Sequence, residues 1–160
     1  MKKYKILVTI LLAWTLLFGQ TLCAWGAESE WYDLREIENY SDISSDFEEA
    51  EITPYTRYIV GASVYITHPS SDKIWMRTEV FCSQTMKKIT TVFTLQKKVG
   101  SSWTNVGKGT VSVSNDNSMY KSMEATGVSS GTYRCIADTQ VTSSSGYTET
   151  ISAVSGEVKV

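Results

Sequence analysis

The sequence predicts an all-β chain, with one antiparallel sandwich of about seven strands filling residues 57–160. The first observation is composition. From Tyr58 onward Thr, Val, Ser and Tyr dominate, and β-branched and aromatic residues of this kind suit a pleated, half-buried surface. The second is spacing. Turn-forming clusters at 68–72, 100–102, 115–118, 127–131 and 143–146 separate seven strand candidates: 58–67, 73–83, 87–99, 103–114, 118–126, 131–142 and 147–160. The third is phase. Ile74, Met76, Thr78, Val80 and Cys82 share one face, and Trp75, Arg77, Glu79 and Phe81 take the other. Likewise Tyr133, Cys135, Ala137, Thr139 and Val141 share a face, opposite Arg134, Ile136, Asp138 and Gln140. No long run carries the helical spacing of three and four.

Residues 1–26 read as a secretory signal peptide. Lys2, Lys3 and Lys5 precede an uncharged apolar run over 6–18, and small residues follow at Ala24, Gly26 and Ala27. The run is short for a bilayer, which takes about 20 residues, so no membrane span is expected in the mature chain. A lipid-modified Cys23 is the alternative, but Leu22 stands where that processing needs a small residue. Residues 27–56 form an acidic extension. Positions 28–51 carry ten acids against Arg35 alone, whereas the domain from Tyr58 carries ten bases and seven acids. Trp31, Leu34 and Ile37 recur at a spacing that allows a short helix. The stretch is too charged to bury a core, so it is expected to be largely disordered, with docking on the domain or a propeptide role as alternatives. Pro54 marks the boundary.

With Cys23 removed, two cysteines remain. An even count in an exported chain predicts a disulfide between Cys82 and Cys135. Closing a loop of that size stabilises by roughly 4 kcal/mol in the chain-entropy picture. Two cysteines and one histidine exclude a structural zinc site, which takes four such ligands.

Gly131-Thr132-Tyr133-Arg134-Cys135 reads as Gly-x-Tyr-x-Cys and resembles the sixth strand of immunoglobulin-like domains. The resemblance implies an immunoglobulin-like sandwich with Tyr133 as a tyrosine corner and Cys82 as the second-strand cysteine. Phe93 stands near the place of the core tryptophan, while Trp103 falls on the next strand. A second resemblance covers nearly the whole mature chain. Its motifs are Arg57-Tyr58, Phe93-Thr94-Leu95-Gln96-Lys97-Lys98, Trp103, Gly131-Thr132-Tyr133-Arg134 and Gly146-Tyr147-Thr148-Glu149-Thr150. They are similar to those of a family of short secreted proteins from Gram-positive bacteria with no established function. This implies origin and fold and carries over no functional residue.

No catalytic constellation is present, and no cofactor or metal is expected. His68, the single histidine, precedes Pro69 in a turn, and no Gly-x-Ser-x-Gly elbow occurs. Asp72, Glu79, Asp116, Glu124, Asp138, Glu149 and Glu157 are scattered over turns and outward positions rather than paired for glycoside hydrolysis. Asn115-Asp116-Asn117 fits a turn better than a calcium loop. The best functional clue is the outward aromatic set. Trp75, Phe81 and Trp103, with Arg77, form the candidate binding face, and Tyr120 and Tyr147 are possible additions. Lys87, Lys88, Lys97 and Lys98 flank the third strand as edge charges or contacts to anionic polymers. The expectation is a secreted, monomeric, non-catalytic module, released or wall-associated, that binds an extracellular protein or a cell-wall glycan. A carboxylate-dependent hydrolase and an inhibitor or toxin-like effector are the alternatives. The acidic total argues against nucleic acid.

Overall fold

Two long strands dominate the computed structural model, which describes residues 30–38 and 57–160. The signal-peptide pattern, Cys23 and most of the acidic extension lie outside the described residues. Strand β3 runs Lys73–Val99 and β4 runs Ser102–Thr126, joined by a two-residue turn in which Gly100 takes a positive φ of 62°. That φ suits glycine, which carries no Cβ to clash there. The other strands are β1 (Tyr32–Ile37), β2 (Ile59–Ser70), β5 (Thr132–Thr142), β6 (Thr148–Val154) and β7 (Val158–Lys159). Thus 73–83 and 87–99 form one strand, 103–114 and 118–126 form another, and the final candidate divides in two.

A straight strand of 27 residues would reach about 90 Å, far beyond a compact domain of this size. Irregular pairing breaks the ribbon. Phe81 is in register with Ser118, but the next β3 residue in register is Met86, opposite Asp116, so 82–85 form a bulge against a single β4 residue. Asn115 takes a positive φ of 56° on the partner strand at the same level. A second shift, between Leu95 and Gln96, adds Val106 to β4.

The two halves of the ribbon have different outer partners. The first half of β3 pairs with β2, from Lys73 opposite Ser70 to Cys82 opposite Ile59. The second half pairs with β5, from Lys88 opposite Thr142 to Lys97 opposite Tyr133. β6 adds to β5 in unbroken antiparallel register, and β7 pairs with Thr132 and Tyr133 at the other end of β5. β2 also approaches β5, β6 and β7 without pairing with any of them. Inward residues from both halves form one core in which Tyr133 and Phe93 are the largest fully buried side chains. Each such side chain stabilises by roughly 1.5–3 kcal/mol relative to exposure.

Strand β1 replaces the expected arm over part of its length. Trp31–Val160 forms one compact unit. Tyr32 and Asp33 run parallel to Gly107 and Lys108, after which partners descend from Ala125 opposite Leu34 to Ser122 opposite Ile37. Trp31, Leu34 and Ile37 therefore belong to an extended segment, not a helix. The contact is close because two β4 residues lack side chains. A Cβ on Gly107 would stand 2.9 Å from the Tyr32 carbonyl oxygen, and one on Gly109 would stand 2.9 Å from Leu34 Cβ.

The expected Cys82–Cys135 bridge is not formed. Both residues point inward, as their phase requires, but they stand as separate buried thiols. Register explains why. Cys82 faces Ile59, whose amide reaches Glu149, and Glu149 is opposite Val141 at one end of β5. Cys135 is opposite Leu95, six residues back along β5, or about 20 Å of strand. A disulfide needs Cα atoms within about 7 Å. Burial, then the charge of Glu149, pushes the Cys82 thiol up to about 11. Burial also pushes Cys135 well above its ordinary value. Both are protonated and poorly nucleophilic at neutral pH.

Candidate functional site

Register sorts the four outward candidates onto two surfaces. Trp75, Arg77 and Phe81 alternate along the first half of β3 and project from its outer face. Cross-strand neighbours extend that face: Tyr65 of β2 beside Arg77, with Tyr120 and Glu124 of β4 beside Glu79 and Trp75. Trp103 is opposite Lys98 at the far end of the ribbon, so it does not join them.

The first face has a held end and an open end. At the held end the Trp75 indole N–H donates to Glu124 Oε2 at 2.8 Å, and Lys73 reaches the same oxygen at 3.4 Å. Arg77 pairs with Glu79 and lies 6.0 Å from the Tyr65 ring centroid. These side chains are half-buried. At the open end Phe81 and Tyr120 meet edge to face, with centroids 5.4 Å apart, yet remain 41% and 54% exposed. Val60, 42% exposed, lies on the neighbouring β2 at the register shift between Ile59 and Gly61, next in sequence to Gly61, which is opposite Phe81. An apolar strip thus crosses three neighbouring strands. Of its members, sequence reasoning singled out Phe81 and Tyr120 by phase. It missed Val60, because the bulge that turns this residue outward leaves no signature in alternation.

The second face lies on the other half of the ribbon. The Arg134 guanidinium carbon stands 4.3 Å from the Trp103 ring centroid, and Lys98 Nζ stands 5.2 Å from it. Arg134 Nε donates to Gln96 Oε1 at 2.8 Å, and Gln96 Nε2 donates to Asn105 Oδ1 at 2.7 Å. Trp103 is therefore half-covered by cations rather than presented for stacking. Further along the same face an open groove of about 470 Å³ is lined by Thr90, Val92, Asp138, Gln140, Thr150 and Ser152. Ser152 donates to Asp138 Oδ1 at 2.6 Å.

Tyr133 is wholly buried, and its hydroxyl donates to the Ser129 carbonyl oxygen at 2.8 Å. The Ser129 N–H donates to the Tyr32 hydroxyl at 3.1 Å. Lys97 donates to the Ser129 hydroxyl and lies 5.6 Å from the centre of the Tyr133 ring. Burial holds the Tyr133 phenol above its ordinary pKa. This cluster pins β1, the 128–131 turn and β5 together.

His68 lies near the end of β2, exposed. Asp116 Oδ1 accepts the Ser118 N–H at 3.1 Å. Among the described residues no three His, Cys, Asp or Glu side chains gather as metal ligands. No family model, curated protein or solved structure matches the chain.

Proposed function

We propose that this chain is a secreted, non-catalytic binding module of immunoglobulin-like build whose partner is a protein docking on the strip of Val60, Phe81 and Tyr120. The observation that carries the reading is the exposed edge-to-face pair of Phe81 and Tyr120, joined by Val60 across three strands. Aromatic residues fixed on a rigid sheet give large contact area at low entropy cost, the character of interface hot spots. A glycan platform on the two tryptophans has less support, since Trp75 is engaged with Glu124 and Trp103 lies under Arg134. The sandwich reading draws on the partner exchange along β3 and on the Tyr133–Ser129 bond, which has tyrosine-corner geometry. Export rests on the 1–26 pattern.

The carboxylates support a non-catalytic reading. Each of the seven acids of the domain accepts from a neighbouring donor: Asp72 from Ser70, Glu79 from Arg77, Asp116 from Ser118, Glu124 from Trp75, Asp138 from Ser152, Glu149 from backbone amides and Glu157 from Lys98. That pattern suits a structural surface better than an acid–base pair. The test is a photo-crosslinking residue at position 120, with one at position 110 on the other face as control. Incubated with extracellular proteins of the producing cells, the first should give a discrete adduct that the second does not. Equal labelling from both positions would refute the strip.

A further inference from the structure

The second face holds a cation that no carboxylate of the described residues neutralises. Arg134 is half-buried on β5, with its guanidinium carbon 4.3 Å from the Trp103 ring centroid and its Nε tied to Gln96. Asn105 fixes Gln96 in turn. Among the described residues no carboxylate lies within ion-pair distance of Arg134, so its terminal nitrogens carry the charge unneutralised. Guanidinium is always charged near neutrality, and its paired N–H donors match an oxyanion in a fork. Holding the side chain by stacking and by a two-step hydrogen-bond relay removes much of the rotamer entropy that binding would otherwise cost. Two further cations share the face. Lys98 is opposite Trp103, 5.2 Å from its ring centroid, and makes a long contact of 3.4 Å to the exposed Glu157 carboxylate. Lys108, opposite Thr94 on β4 and in register with Asp33 of β1, is exposed across β3 from Arg134.

What lies beyond Arg134 narrows the ligand class. Four residues further along β5, about 13 Å away on the same face, Asp138 opens the groove with Thr90, Gln140, Thr150 and Ser152. Hydroxyls, an amide and a carboxylate around an open depression of about 470 Å³ offer donors and acceptors for several alcohol groups at once. An acidic peptide would want apolar pockets between its charges, and this lining has only Val92 and Ile151 to give.

We propose that Arg134, with Lys98 and Lys108 on the same face, is the oxyanion subsite for an acidic glycan whose neutral hydroxyls continue into the groove at Asp138 and Gln140. The site is separate from the apolar strip and stands or falls independently of it.

The full chain is titrated by affinity electrophoresis against polygalacturonate, which carries carboxylates on sugar rings. Dextran supplies sugar without charge, and polyphosphate supplies oxyanions without sugar. Polygalacturonate should retard the chain and dextran should not. Arg134→Gln should weaken binding about tenfold, the loss of one charge-assisted contact. Arg134→Lys, which keeps the charge and loses the fork, should fall between. Gln140→Ala should weaken polygalacturonate and leave polyphosphate unaffected. Lys87→Gln, a cation away from Trp103, should change nothing. Undiminished binding in Arg134→Gln would overturn the proposal, and so would an equal loss in Lys87→Gln, which would mean diffuse attraction only. Polyphosphate binding as tightly as polygalacturonate would overturn the glycan assignment.

Discussion

Removing the Glu149 carboxylate should loosen the start of β2 and lower the Cys82 pKa in the same variant. Glu149 collects three consecutive backbone amides: Arg57 N–H on Oε1 at 2.9 Å, and Tyr58 and Ile59 N–H on Oε2 at 2.8 and 3.3 Å. Hydrogen bonds to a charged group contribute about 1.5–3 kcal/mol each. Water replaces the acceptor at solvent-exposed Arg57. The two donors on Oε2 share one oxygen and are partly buried, so Glu149→Ala should cost about 3 kcal/mol in all. Against a typical total of 5–15 kcal/mol, that is a large loss. Glu149→Gln keeps one acceptor and should cost about half as much. Its charge is also the second cause of the raised Cys82 pKa, after burial. In Glu149→Gln the Cys82 thiol should therefore titrate below about 11 while staying above its ordinary 9.0. The assays are urea denaturation at pH 7 and the NMR chemical shift of the Cys82 Cβ carbon against pH. A loss under about 1 kcal/mol in Glu149→Ala, or an unmoved Cys82 titration, would refute the clamp.

The cysteines give a second prediction. Without reductant, iodoacetamide should label both Cys82 and Cys135 in the guanidinium-unfolded chain and neither in the native one, by peptide mapping. A disulfide would leave both unlabelled throughout. The raised Cys82 pKa also sets a stability window. Its contribution is intact below about pH 9 and is lost as pH climbs towards 11, because the unfolded thiol ionises first. Cys82→Ala should make that part of the stability–pH curve shallower, with the buried Cys135 thiol keeping the rest of the slope. Tyr133→Phe removes the donor to the Ser129 carbonyl, leaves a half-buried acceptor short, and should cost about 1–2 kcal/mol in chemical denaturation. Gly109→Ala places a Cβ 2.4 Å from Met123 Cε and 2.9 Å from Leu34 Cβ. It should destabilise by about 1–3 kcal/mol and speed amide exchange in 32–37 before the rest of the sheet. Uniform exchange would contradict a docked β1.

The alternation of apolar and polar residues made the strands legible. Ile74 to Cys82 and Tyr133 to Val141 bury every second side chain along their length. Strand ends were less legible, because a bulge conserves β character while breaking register. The strand candidates 73–83 and 87–99 leave a break at 84–86, and the chain instead bends there without leaving β3. β1 was hidden by its charge. Arg35 and Glu36 are exposed, and the segment holds its place through Tyr32, Leu34 and two glycines that lie some 75 residues away in the chain. The disulfide failed for a related reason: phase fixes which face a cysteine takes but not how far along the strand its partner lies. Trp103 and Arg134 are 31 residues apart and meet only because β4 and β5 flank the same half of β3.

The central claim is that the strip of Val60, Phe81 and Tyr120 binds a partner and does not hold the fold together. The direct measurement is a Phe81→Ala/Tyr120→Ala double variant, with thermal unfolding and retention of the crosslinked partner followed on the same preparation. Both side chains are well exposed and lie outside the core cluster. The melting temperature should fall by no more than about 4 °C, the shift that about 1 kcal/mol produces in a domain of this size, while partner retention is lost. Undiminished retention in a folded double variant would contradict the claim, as would a collapse of stability.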